Sequence, residues 1–385
     1  MEFWFSKEQK ELKALSREIA LGKILPRREY YDETEDFPWE LVKDLSSANL
    51  FEVYIPEEYG GKGGGVTELC IVTEELSRVC GGTALAYAGT ALGSYPILLF
   101  GNEEQKKKYL PSIAKGEKLA AFGLTEANAG SDASAIQTQA KAVEGGYILN
   151  GTKQWITNGG EAVIYTIIAV TDKAKGARGV SAFIIEKGYK GFSFGKKEKK
   201  MGIRASATRE LVFNDCFVPE ENLLNREGYG FIVAMKTFDK TRPGVAAQAL
   251  GIAQGALDEA LIYSKKREQF GKSICSFQEI QFKLADMAIQ VEAARALIYS
   301  VARLIDSGAE RVSKESSMAK VFSSDIAVNV TSMALQIFGG YGYLRNYPVE
   351  KMMRDAKITQ IYEGTNEIQR SIIALNLIKE IAARK

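Results

Sequence analysis

Apolar and polar positions change their rhythm twice along this chain. Leu12, Leu15 and Ile19 recur at helical spacing behind a capping box at Ser6-Lys7-Glu8-Gln9, and Gly22 just beyond them is the expected stop. Pro38 inside residues 37–49, and the series Leu69, Val72, Leu76 and Val79 ended by Gly81-Gly82, predict two further helices. Residues 83–99 are small and apolar, and Asn102-Glu103-Glu104-Gln105 opens another capped helix with acids in its first turn. From about Lys118 the period falls to 2 or to short apolar runs, with Gly and Asn as punctuation. The predicted strands are 119–124, 136–143, 147–152 across a Glu144-Gly145-Gly146 turn, 163–170, 180–185 and 210–213. Lys196 to Lys200, a charge run between two of them, reads as a solvated loop. Helical spacing returns after Gly228, with Thr241 as the expected N-cap and Pro243 just inside a segment that runs to Arg267. Ile280, Leu284, Met287, Val291, Ala294, Ile298, Val301 and Ile305 then keep 4-3 spacing, the seam of a helical bundle, and a third long segment ends at Phe338 before Gly339-Gly340-Tyr341-Gly342. The pattern is an α+β multidomain chain: an N-terminal all-α domain (1–117), a middle β domain (118–228) and a C-terminal helical bundle (229–385).

Composition narrows the chemistry more than the fold. At 385 residues the chain can bury a full core without disulfides, and 46% apolar with a net charge of +2 gives no reason to expect nucleic acid. Cys70, Cys80, Cys216 and Cys275 are too far apart for a CxxC pair and read as reduced core thiols of a cytosolic protein. Met1-Glu2-Phe3-Trp4 carries no basic leader, and the longest apolar run, taken as Ala162 to Val170, is too short to span a bilayer; the expectation is a soluble, cytoplasmic protein with no membrane partner. The chain contains no histidine. A Ser-His-Asp triad, an HExxH zinc site and a His-ligated haem are therefore impossible, no metal site is expected, and a base working near neutrality must be a carboxylate, Lys, Tyr or Cys.

One polar interruption stands between two apolar-periodic segments near the C-terminus: Gln360-Ile361-Tyr362-Glu363-Gly364-Thr365-Asn366-Glu367. Gly364 frees the backbone just after the carboxylate, and Thr365 or Asn366 can cap the helix continued by Ile368, Ile372 and Leu375, so Glu363 is aimed by a turn. Taken alone such an acid is equally a solvated loop residue. The glycines of 60–65 and 339–342 follow no strand of a βαβ unit and match neither phosphate-binding motif. Gly123 to Asp132 is different, because hydroxyls, small residues and glycine follow an apolar strand where backbone N–H groups can meet a polar ligand. Lys153 to Gly159 sets an aromatic plane, Trp155, beside a hydroxyl; on its own Trp155 reads as a core or interface residue.

The set GLTEANAGSD, KQWITNG, FDKTRPGVAAQALG, REQFGK, QIFGGYGYLRNYPVEKMMRDAK and QIYEGTNEIQR resembles the acyl-CoA dehydrogenase family, in order and over essentially the whole chain. The resemblance implies an α domain, a β domain and a C-terminal four-helix bundle, FAD as cofactor, and a homotetramer built as a dimer of dimers that shares FAD across each dimer. It implies α,β-dehydrogenation of an acyl-CoA, as in fatty acid β-oxidation, with electrons passed to electron-transfer flavoprotein. Position by position it implies that Phe122, Leu124, Thr125 and Ser131 contact the flavin and its pyrophosphate, and that Trp155 and Thr157 flank the ring. Arg267, Phe270, Phe277, Gln278, Gln336, Gly339 and Gly340 fall on FAD positions that include the dimer partner's share, and Thr365 and Glu367 on those beside the adenosine half. Ser131, Phe238, Asp239, Arg242, Tyr362 and Gly364 fall on acyl-CoA positions, and Glu363 on the base. A thioester acidifies its α C–H, so one placed carboxylate suffices, with the thioester oxygen held by the base's own N–H and a ribityl hydroxyl. Thr241 occupies the position from which isovaleryl- and long-chain-type members supply their base, and it has no carboxylate. The segment matching the pocket's far end, Ala84 to Pro96, has small Ala84, Ala88 and Ala91 with Tyr87 and Tyr95, and no Arg for a dicarboxylate. Short or medium straight chains fit best, and a compact ring acid, an enoyl-CoA reductase or an oxidase on the same fold is the alternative.

Overall fold

In the computed structural model, which describes residues 5–383, Ser6 and Gln9 make the reciprocal pair expected of the box, and helix α1 (Lys7–Ile19) follows. Met1–Trp4, where the absence of a leader was read, lie outside the described residues. Gly22 does not stop the helix. The chain continues through a π turn, Ala20–Ile24, because Ala20 and Ile24 are buried and packing holds a turn that glycine alone would release. Helices α2 (Arg28–Thr34), α3 (Trp39–Ser47), α4 (Val66–Ser77), α5 (Gly81–Phe100) and α6 (Glu103–Ala114) complete the N-terminal part. Gly81-Gly82, expected as a stop, instead opens α5. A Cβ at Gly81 would lie 2.7 Å from Ile252 Cδ1 of another helix, and one at Gly82 would lie 3.1 Å from the Ile203 backbone, so the residues are small because other segments pass close by.

The β part contains β1 (Ala120–Gly123), β2 (Gln139–Val143), β3 (Gly146–Thr157), β4 (Ile164–Val170), β5 (Val180–Glu186), β6 (Phe192–Lys197), β7 (Thr208–Pro219) and β8 (Leu223–Leu224). They form one sheet in the order β6-β7-β3-β2-β4-β5-β8, with β1 parallel to β4 from Ala120↔Ile164 to Gly123↔Ile167. β6 was not expected, and it takes Lys196 and Lys197 out of the predicted loop. Phe192 and Phe194 alternate there and pack on Tyr165, with Phe192 also stacked on Phe213, which outweighs the flanking charge. β3 runs five residues past its predicted end, through register shifts against β7, and so carries Trp155 and Thr157 on a strand.

The C-terminal part has α7 (Gly230–Lys266), a small hairpin of β9 (Glu268–Gln269) and β10 (Lys272–Ser273), then α8 (Gln278–Asp306), α9 (Ser313–Phe338), α10 (Pro348–Ile358) and α11 (Asn366–Ala382). α9 packs against α7, α8, α10 and α11. Thr241 is no N-cap: α7 begins eleven residues earlier and passes straight through Pro243. Proline lacks the N–H that would bond to the Asp239 carbonyl, and Ser316 Oγ from α9 donates to that carbonyl at 2.7 Å instead. Two helical stretches, Gly81–Phe100 and Ser313–Tyr343, are long and apolar enough to cross a membrane, against the sequence expectation; 72% and 56% of their apolar windows are buried, as in core helices. Cys70, Cys80 and Cys216 are buried, whereas Cys275 is only partly so.

Candidate active site

The 360–365 loop leaves α10 and enters α11 through Thr365, whose side chain accepts from Ile368 N at 3.3 Å. Gly364 has φ +89°, and a Cβ there would sit 2.4 Å from Gln369 Nε2. Glu363 is itself left-handed, at φ +50°, a conformation that a residue with a side chain keeps only when its surroundings hold it. Gln369 Nε2 does so by donating to the Glu363 carbonyl at 2.8 Å. Thr241 Oγ1 donates to Glu363 Oε2 at 2.9 Å. Burial pushes the Glu363 pKa up to about 7, against the Thr241 hydrogen bond and the charges of Arg242 and Lys320, which pull it down. A carboxylate poised there can take a proton at neutral pH. Its own backbone N–H has no partner among the described residues.

Glu363 opens on a cavity of about 420 Å³ that gathers half of the other predicted residues: Phe122, Leu124, Thr125, Ser131, Trp155, Thr157, Phe238, Arg242, Tyr362 and Gly364. Phe122 from β1 and Phe238 from α7 meet edge to face at 5.5 Å, joining the β and α walls. The α5 wall is Leu85, Ala88, Gly89, Ala91 and Leu92; Ala84, Tyr87 and Tyr95, also expected there, are buried elsewhere in the core. Asp239 does not line the cavity. It accepts from Ser313 Oγ at 2.7 Å and pairs with Arg242 at 3.5 Å, so it orients the arginine instead.

A second cavity lies apart from the first, lined by Arg267, Gly339 and Gly340. Near it Phe270 is 92% exposed at the hairpin turn and lies 6.0 Å from Phe277, while Gln278 and Gln336 are exposed. Thr365 and Glu367 stand on the first turn of α11, and neither lines the cavity around Glu363. These two clusters fit FAD. Among the described residues the hydroxyls of Thr125, Ser131 and Thr157 bond to nothing in the chain, and Trp155 is 56% exposed with φ +57°. Arg267 makes no ion pair among them and rests on the Tyr341 ring at 5.3 Å, a charge free to meet a pyrophosphate. Thr125 is held from behind: its carbonyl accepts from Gln154 N at 2.8 Å, and the fully buried Lys153 bonds to Leu124 O and Glu126.

Three side chains at this site were not singled out in the sequence. Gln248 lines the cavity, accepts from Tyr362 Oη and donates to Gly81 O at 3.0 Å. Gln369 carries the strained loop. Lys320 stands behind it, and its signal was present: it sits four residues after Ser316 and seven before Ala327, on the face of α9 that is otherwise small and buried.

The domain models of the acyl-CoA dehydrogenase family match this chain in order, N-terminal domain at 6–117, middle domain at 121–216 and C-terminal domain at 228–378. A short-chain-specific acyl-CoA dehydrogenase of Clostridium acetobutylicum is 50% identical over 97% of this chain and 99% of its own. Butyryl-CoA dehydrogenase of Megasphaera elsdenii superposes with a TM-score of 0.96 at 48% identity, over 98% of this chain and all of that one. A chain solved in work on the electron transferring flavoprotein of Acidaminococcus fermentans and flavin-based electron bifurcation also reaches 0.96, at 50% identity over 98% and 99%.

Proposed function

This chain belongs to the acyl-CoA dehydrogenase family of FAD-dependent oxidoreductases, and from that premise we propose that it dehydrogenates a short- to medium-chain acyl-CoA to the trans-2-enoyl-CoA with Glu363 as base. The observation that carries the reading is a buried carboxylate in a largely apolar cavity, bonded to Thr241 and poised at about 7. Glu363 takes the α proton. Its free N–H faces no competitor for the thioester oxygen, where negative charge grows as that proton leaves. When bound, FAD supplies the acceptor for the β hydride. Thr125, Ser131, Trp155 and Thr157 would hold the ring end from the β side, and Arg267 with Gly339 and Gly340 would hold the pyrophosphate of a neighbouring chain's FAD. That division supports a dimer of dimers. So do the exposed apolar side chains Phe282 and Ile289 on α8, and Leu375, Ile378 and Ile381 on α11, which water alone does not favour. The electrons then leave to electron-transfer flavoprotein.

The acyl end of the cavity is walled by Leu69, Leu85, Leu92 and Val245 and carries the fixed amide of Gln248, which favours a short straight chain. The test is anaerobic flavin reduction by a panel of acyl-CoAs. C4 to C8 substrates should outrun C16, isovaleryl and glutaryl ones. Glu363→Gln should slow reduction by at least the roughly 10²–10⁴ of general-base catalysis while FAD content and acyl-CoA affinity stay near wild type. Reduction within tenfold of the wild-type rate would place the base elsewhere.

A further inference from the structure

The loop that carries Glu363 rests on α9, and the contact there is made by a lysine that the chemistry above does not use. Lys320 is fully buried. Its Nζ donates to the Gly364 carbonyl at 2.9 Å and to Asn366 Oδ1 at 2.8 Å, both neutral acceptors. Asn366 is braced in turn, its Nδ2 donating to Ser324 Oγ and Asp325 Oδ1, each at 2.8 Å. An ammonium buried against neutral oxygens is unfavourable unless negative charge stands close.

We propose that Lys320 is a positioning residue for the base: from behind the loop it clamps Gly364 and Asn366 so that Glu363 keeps its left-handed backbone, and its charge sets the pH range in which the carboxylate can take a proton. The proposal rests on Glu363 being that base. Burial depresses the Lys320 pKa to about 7, Glu363 from the loop, Asp325 from α9 and Glu367 from α11 oppose the fall, and Arg242 from α7 adds to it. Glu363 feels Arg242 and Lys320 as its two positive neighbours, with Tyr362 beside it and Asp132 also on the cavity wall. Removing the ammonium therefore leaves Glu363 protonated to higher pH. A lysine that only filled space would not move that titration.

The experiment compares FAD-loaded wild type, Lys320→Met and Lys320→Gln, with Glu363→Gln alongside. Flavin reduction by a saturating acyl-CoA is followed from pH 5.5 to 9.5, and affinity is measured with a non-oxidisable acyl-CoA analogue. Both lysine variants should shift the pH midpoint of reduction upward by about one unit, which is about tenfold in rate on the acid side, with affinity changed less than threefold. Lys320→Gln keeps donors for the two oxygens and lacks the charge, so it carries the measurement should Lys320→Met not fold. A second readout needs no turnover. The gain in thermal stability that Glu363→Gln gives at pH 7, where Lys320 still holds part of its charge, should be larger in the Lys320→Gln background than in wild type. Wild-type midpoint and rate in Lys320→Gln would overturn the proposal, as would a loss of rate that is uniform with pH. Fast flavin reduction by Glu363→Gln would instead overturn the assignment of the base.

Discussion

Glu363 is ionised at a cost that the folded protein imposes and the unfolded chain does not. Its pKa rises from 4.5 to about 7 on folding, because burial disfavours the charged form. Below pH 4.5 the group is protonated in both states and contributes nothing. Between 4.5 and 7 the unfolded chain ionises first and the folded state loses stability, and above 7 the loss is complete. Ligand-free Glu363→Gln should therefore match wild type at pH 4.5 and exceed it by roughly 1–3 kcal/mol at pH 8 in chemical or thermal unfolding. An equal difference at both pH values would mean that the side chain's shape, and not its charge, is responsible. The acid was marked in the sequence by the glycine and cap beside it, but those left a solvated loop residue equally open, and the family resemblance is what singled it out. Thr241 was legible only as a residue of note. Its hydroxyl was expected to start a helix and instead bonds to Glu363, a contact between positions 122 residues apart that no local pattern encodes.

At the scale of elements, α7 decides where the substrate wall stands. Phe238, Thr241 and Arg242 face the cavity within about a turn and a half of Pro243, and the carbonyl that Pro243 leaves unpaired is met by Ser316 from α9. Ser316→Ala should orphan that carbonyl and destabilise the protein by about 1–3 kcal/mol in urea unfolding, and should weaken acyl-CoA binding more than FAD binding. An unchanged urea midpoint would mean that the helix re-satisfies the carbonyl on its own. Helix and strand periodicity found most elements because their buried faces recur at fixed spacing. It failed where a distant partner intervenes: Gly81 admits α7 at the start of α5, and Asp306 at the end of α8 caps α4 by accepting from Val66 N at 2.7 Å and Thr67 N at 2.9 Å. β6 was hidden by the charge at its end, although its two phenylalanines already alternate.

For the whole molecule, two separate clusters fit FAD, and on the proposed dimer of dimers cofactor retention is a property of the assembly. Arg267→Ala should leave the chain folded and weaken FAD retention at least tenfold on dilution or desalting, since a pyrophosphate loses a charge-assisted partner. Undiminished retention would show that Arg267 meets no phosphate. The three-part architecture was readable because each part keeps one rhythm of its own. The separation of the two clusters was not, because sequence order does not say which segments meet in space.

Placing Lys320 behind Glu363 has a consequence for counting protons. With no histidine, few groups among the described residues titrate near neutrality: Glu363 and Lys320 at about 7, and Lys153 and Lys200 at about 8. Two adjacent groups of opposite charge type with matching pKa values titrate as a pair, so a ligand that covers them takes up or releases a proton as a unit. In calorimetry the binding heat then depends on the ionisation enthalpy of the buffer, and the slope is the number of protons moved. Most enzymes blur that number with imidazoles; here it reads out the base and its lysine almost alone.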